Sequence, residues 1–308
     1  MKPPVVVKLV SYTRDAPRLV AAAARITVSK KTIEKAWEMT SREVWEWIRE
    51  LVARGHGSPL EHATYTFEAE CSRVCSHQLV RHRLASYTQQ SMRYTEGFMR
   101  KAVMAIAGLL GEKAPAKPRT RQDYEKYAQI LRRAGEQLEP ARLADPLSEA
   151  FVYNPYWSRK TMEKATRTYL EALAAYYELL SMGIPKEDAR FLIPHAARTR
   201  IVFTMNAREL LESFLPLRMC LHAQWEIRAL AWATRQILAK IHPEIFAWAG
   251  PRCILQENRG RRQPCKLEEY LESKCTFTIE RCPEKLPREK IRQCIEAAKK
   301  LAEKTLQG

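Results

Sequence analysis

The octet ATYTFEAE, residues 63–70, narrows the possible folds more than any other stretch. Tyr65, Phe67 and Ala69 alternate with Thr64, Thr66 and Glu68, the period of a strand with one buried face. A lone strand leaves its backbone groups unpaired, so a sheet has to form around it. VVVKLVSY (5–12) reads as a buried strand, and 201–203 as a short β-prone run. Nearly everything else has helical period. Residues 16–25 are alanine-rich. Thr40 and Glu43 have capping-box spacing and open a helix carrying Val44, Trp45, Ile48, Leu51 and Val52, stopped by Gly55 and Gly57. A helix is expected from Ser72 into the segment that follows the octet. Others are expected over 120–139, over 158–182 before Gly183, from Trp225 to about His242, and over 287–305. The expected fold is α+β: mostly helical, with a small central, mainly antiparallel sheet and helices packed around it.

From Pro251 onward large apolar residues thin out and Arg, Cys, Glu and Pro take over. This divides the chain into a domain over 1–250 and a cysteine-containing extension over 251–308. The eight cysteines include no CxxC, so no metal is expected. Cys253, Cys265, Cys275 and Cys282 could instead close one or two disulfides, with zinc or free thiols as alternatives. Cys71 and Cys75, at helical spacing, read as small core residues. His56 and His62 flank a turn and read as turn or capping residues.

Charge limits the partners. Fifty-two Lys and Arg against 35 Asp and Glu leave +17, a surface that draws anions such as nucleotides, nucleic acids or acidic headgroups. A basic nucleic-acid-binding protein with a cysteine-stabilised tail is the second reading. It would interleave base-stacking aromatics with Lys and Arg on a strand face. The octet has the aromatics without the cations, so no nucleic-acid partner is expected. No stretch approaches a membrane span, and the N-terminal apolar run is short and broken by Lys8. A cytoplasmic protein with no membrane partner is expected.

QLVRHRLASYTQQSMRY (78–94) sets planar hydrogen-bonding groups beside core-type residues. On a helix, Gln78, Arg81 and His82 would share one face and Arg83 would point elsewhere. Arg is suited to phosphate and to flat rings. The polar run after it, read as a turn, offers backbone N–H groups to an anion. Ser91 has no neighbouring base to activate it as a nucleophile.

Arg81-His82-Arg83, seven residues, then Ser91 resembles the signature of the flavin-dependent thymidylate synthases. HGSPLEH before the octet, SYTQQSMRY after the arginines, and NAREL, LR and HAQWEIRALA over 206–231 resemble further family blocks in the family's order. The resemblance spans roughly 16–248. It implies FAD as cofactor, NADPH as reductant and methylenetetrahydrofolate as one-carbon donor in converting dUMP to dTMP. It also implies a homotetramer with active sites at subunit interfaces. Ser58, Arg81, His82, Arg83, Gln89, Asn206, Arg208 and His222 match flavin-binding positions. Gln78, Arg81, Gln89, Gln90, Ser91, Arg93, Arg190 and Arg218 match dUMP-binding positions. Arg218 matches the catalytic arginine that polarises the uracil ring, with buried surroundings suggested by Leu217, Met219 and Leu221. Two departures accompany the match. The family often carries an acidic residue where Gln89 stands. The stretch from Asn206 to Arg218 is one residue longer than usual, so no flavin contact is assigned near Glu212 or Ser213.

Overall fold

A computed structural model describes residues 1–307. One four-stranded antiparallel sheet forms, with β1 (Val6–Tyr12), β2 (Thr64–Ser72), β3 (Ala85–Gln89) and β4 (Arg198–Asn206) in the order β1-β2-β4-β3. The octet is the heart of β2, which pairs with β4 from Thr64 opposite Asn206 to Ser72 opposite Arg198. Its alternation is physical: Phe67 stacks on Phe203, its cross-strand partner, in the core. On the other face Thr66 and Thr204 share a hydroxyl hydrogen bond at 2.9 Å. The fold is α+β and mostly helical, as the residue pattern implies.

Two strand expectations are corrected. β1 is an edge strand and not a buried one: Val7 and Leu9 lean on the core, while Val10 is 61% exposed past an irregularity between Leu9 and Ser11. The run after the arginines, read as a polar turn, begins with β3. Tyr87 lies opposite Phe203, half-buried, and an edge strand tolerates Ser86 and Thr88 on its open face.

The helices form where local chemistry favours them. Thr40 and Glu43 complete a capping box on Ser41–Arg54, which ends on Gly55 at φ +67°. Thr120 and Asp123 do the same for Arg121–Gln137. That helix, Gly97–Leu109, Pro140–Leu147 and Arg159–Ser181 enclose a helical core of their own, with Tyr127, Leu131, Leu173 and Tyr177 inside. The larger core lies on the sheet, under Ala16–Ile26, Ser41–Arg54 and Trp225–Ile241.

The residues after 250 fold onto that larger core. Ile254, Leu267, Tyr270, Ile291, Ile295 and Ala298 are buried in it, and helix Arg288–Gln307 lies along Trp225–Ile241. Tyr156, between the helical core's aromatics Tyr153 and Trp157, donates to the carbonyl of Leu301 on this last helix and lies under Lys304. Of the four cysteines expected to pair, Cys265 and Cys275 are bonded, while Cys253 and Cys282 are free. Among the described residues, no helix is long and apolar enough to cross a membrane.

Candidate active site

Helix Arg73–Leu79 opens on Ser72, whose hydroxyl accepts from the Cys75 N–H. It stops before the arginine motif, so Gln78, Arg81, His82 and Arg83 do not share a helix. Arg81 N–H bonds to Gln78 O and His82 N–H to Leu79 O, tightening the last turn. The Tyr87 hydroxyl then lies 2.9 Å from Leu79 O and 2.7 Å from His82 O, offering its one proton to the carbonyls at the helix exit. This exit turns His82 inward, 4% exposed, and leaves Arg81 and Arg83 outside.

Arg218 Nε is 3.0 Å from His82 Nε2, and its Nη2 donates to Gln78 O at 3.2 Å. A guanidinium only donates, so Nε2 is the acceptor and Nδ1 carries the imidazole proton. Nδ1 donates to Glu209 Oε1 at 3.1 Å, with Ser213 Oγ at 3.2 Å. Arg218 is half-buried, and burial holds its guanidinium below its usual value. Its expected surroundings need one correction: Met219 is buried, but Leu217 is 44% exposed.

Glu209 is not among the residues read from the sequence, and Ser213 stands there without a role. They lie on Glu209–Phe214, a π-helical turn. Such a turn takes in one residue more than an α-turn, which suits the extra residue between Asn206 and Arg218. Pro216 promotes it, because a proline ring crowds the carbonyl four residues back. A signal was present: Asn206 and Glu209 have capping spacing, and Asn206 Oδ1 accepts the Glu209 N–H at 2.8 Å.

The rim is cationic. His77 is held below its ordinary value, by burial first and then by Arg73, His195 and Arg81. Arg73 is lowered by burial and by Arg190. Arg73, His77 and His195 therefore stand with Arg81 and Arg190, and the sequence reading had passed over the first three. Among the described residues, Arg81, Arg83, Arg93 and Arg190 form no ion pair, although arginines such as Arg132, Arg133 and Arg235 each hold a carboxylate. Gln89 donates to Ser76 Oγ and Thr199 Oγ1. Gln90 Oε1 is buried without a partner, and Ser91 Oγ accepts the Arg93 N–H.

The remaining expected flavin positions lie in other settings. Ser58 is exposed at the start of turn Ser58–His62. Arg208 is held by Glu61 and Glu212, and a Cβ on the neighbouring Gly57 would come within 2.6 Å of its Nε. The π turn thus presents Glu209 and Ser213 to His82, and Glu212 to Arg208. His222 is exposed and lines a cavity formed with the tail. Tyr65 and Phe67 are fully buried, so the octet offers nucleic-acid bases no stacking surface.

Beneath the site, Cys71, Cys75 and Glu226 place donor atoms within 4.8 Å of one another. Both Glu226 oxygens already accept from Ser72, at 2.6 Å from N and 2.5 Å from Oγ. Burial pushes the Glu226 carboxyl up to about 7 and the Cys75 thiol well up. The trio is a buried hydrogen-bonded support.

The profile of a family described as thymidylate synthase complementing protein matches residues 8–244. A flavin-dependent thymidylate synthase from Aeropyrum pernix is 43% identical over 304 residues, covering 96% of this chain and 94% of that protein. Another, from Sulfurisphaera tokodaii, is 39% identical, with 96% and 98% covered. A UMP/dUMP methylase from Streptomyces cacaoi, solved with 5-Br dUMP, superposes at TM-score 0.54 with 25% identity, covering 80% of this chain and 94% of that one. A Helicobacter pylori flavin-dependent thymidylate synthase, solved with FAD and dUMP, shares the fold at TM-score 0.54 and 24% identity, over 79% and 99%.

Proposed function

The chain belongs to the flavin-dependent thymidylate synthase family and is a methyltransferase, and we propose that it converts dUMP to dTMP with FAD as cofactor, methylenetetrahydrofolate as one-carbon donor and NADPH as reductant. The observation that carries this reading is the set of unneutralised guanidinium groups, Arg81, Arg83, Arg93 and Arg190, in a chain that also sets the half-buried Arg218 against the buried His82. Cations left without carboxylate partners suit phosphates, and both FAD and dUMP are phosphorylated and planar.

Bound flavin supplies the hydride chemistry. The chain's residues bind, orient and set charge. Arg81, Arg93 and Arg190, with Gln78, Gln90 and Ser91, hold dUMP. Arg83 and His82, with Ser58, Asn206 and His222, hold the flavin. Arg208 joins them by exchanging a carboxylate for a phosphate. Gln89 works from beneath, since its amide is spent on Ser76 and Thr199. Arg218 polarises the uracil ring: a fixed cation at the ring edge offsets the negative charge that develops as C6 accepts hydride. Its charge does not relay a proton, because guanidinium stays protonated.

We read the assembly as a homotetramer with sites at subunit junctions, working in the cytoplasm. Leu84, Tyr94 and Phe191, near the motif, are 69%, 78% and 83% exposed, apolar surface that a neighbouring chain would cover. Tritium release from 5-labelled dUMP, in the presence of methylenetetrahydrofolate and NADPH, tests the reaction. Release that requires FAD is expected, and none under any flavin condition would remove the reading.

A further inference from the structure

The unbonded cysteines of the tail are not scattered. Cys253, on helix Arg252–Asn258, Cys282, before the turn closed by its N–H to Leu286 O, and Cys294, on helix Arg288–Gln307, line one cavity together with Cys220 from the turn after Arg218. Four thiols from four segments thus meet in one place, with Leu221 and Ile291 as apolar wall. None is bonded, although Cys265 and Cys275 in the same tail are. We propose that Cys220, Cys253, Cys282 and Cys294 ligate an iron–sulfur cluster.

A further observation points to a ligand. Arg228 is 5% exposed, and its Nε has no hydrogen-bond partner. Its Nη1 donates to Leu221 O and Ala223 O, and its charge is felt by Cys220 and Cys294. A buried donor left unpaired beside thiols is costly, and cluster sulfurs accept such hydrogen bonds. The four cysteines line a largely apolar cavity, and a metal core would bind them as thiolates.

Spacing selects the kind of centre. A single zinc with bonds of about 2.3 Å draws its four sulfurs to within roughly 4 Å of one another. Among the described residues, the only trio of donors mutually within 4.8 Å is Cys71, Cys75 and Glu226, so no three of these thiols reach single-ion spacing. A cubane cluster holds its ligating sulfurs further apart. On transfer of a preassembled cluster from a thiolate carrier, four Fe–S bonds to the carrier break as four to these cysteines form, the four thiol protons pass to the released carrier thiolates, and no oxidation state changes. The centre would tie the tail to the turn two residues beyond Arg218.

Full-length protein purified without oxygen should contain about four iron and four acid-labile sulfide per chain. Dithionite reduction should give a paramagnetic signal distinct from the flavin radical. The C253S/C294S variant should lose the iron, whereas C265S should keep it. One zinc per chain overturns the proposal. So does the absence of iron and sulfide after anaerobic reconstitution with ferric iron, a thiol reductant and sulfide, or an intact mass showing two more disulfides. The analysis of the unaltered protein decides the matter even if the double variant does not fold.

Discussion

At the scale of single residues, the contact between Arg218 and His82 defines what each can do. The guanidinium spends Nε on the imidazole and Nη2 on the Gln78 carbonyl, which fixes its plane. Arg218→Ala should lower kcat by about 10²–10³-fold, the usual loss for a positioned electrostatic donor, with FAD content nearly unchanged. Lysine at the same position should not restore the rate, because an ammonium cannot reproduce the fork. Steady-state kinetics and flavin absorbance on the same preparations check both. Glu226 yields a pH prediction. Its folded carboxyl titrates at about 7 against 4.5 ordinarily, so between those values the folded chain keeps a proton that the unfolded chain gives up. Stability should therefore fall as pH rises from 4.5 to 7 and then level off, by on the order of 3 kcal/mol from this group. Glu226→Gln should flatten that part of the profile, measured by denaturant melts across the range. Arginines in an ordered motif could be read from residue types alone. The contact of Glu209 with His82 could not: its spacing from Asn206 marks a cap, but a buried carboxylate is indistinguishable in a sequence from a solvated one.

At the scale of elements, the legible features were those with a local cause. The Thr40–Glu43 capping box, the glycine stop and the alternation of β2 act within a few residues, and they appear in the fold where their chemistry puts them. What was not legible depends on distant partners. β3 is polar enough to pass for a turn and becomes a strand because β4 offers an open edge and Phe203 faces Tyr87. The helix over Gly97–Leu109 was not foreseen, and β4 runs well beyond 201–203. The helix before the arginine motif ends early because Tyr87, eight residues downstream of Leu79, takes its carbonyl. Tyr87→Phe should cost about 1–2 kcal/mol for the freed carbonyls. It should also depress kcat more than that instability explains, since His82 loses its fixed exit; thermal melts paired with kinetics separate the two effects. Thr40→Ala is a control of the opposite kind. It should cost about 1 kcal/mol for the lost cap, lower Tm by about 2 °C, and leave kcat alone.

At the scale of the whole molecule, a net charge of +17 suits the proposed reaction, whose substrates are all anionic. Affinity for dUMP should fall as salt is raised, because exposed charges are screened over about 10 Å at 0.1 M. Arg93→Ala should bind more weakly and respond less to salt, which calorimetric titration at several ionic strengths would register. The change in composition at Pro251 was visible in the residues, but its consequence was not. Apolar positions spaced through a charged helix do not announce which surface they will cover.

Tyr156 joins the aromatic end of the helical core to the final helix, and that helix rests on the larger core. The two cores therefore have a shared fastener at the last twenty residues. Heating should melt them in one cooperative step, seen as a single calorimetric peak. Cutting the chain at 287 should lower the temperature of that peak yet keep it single, because Arg198 still bonds to the Ala150 and Ser148 carbonyls across the two lobes.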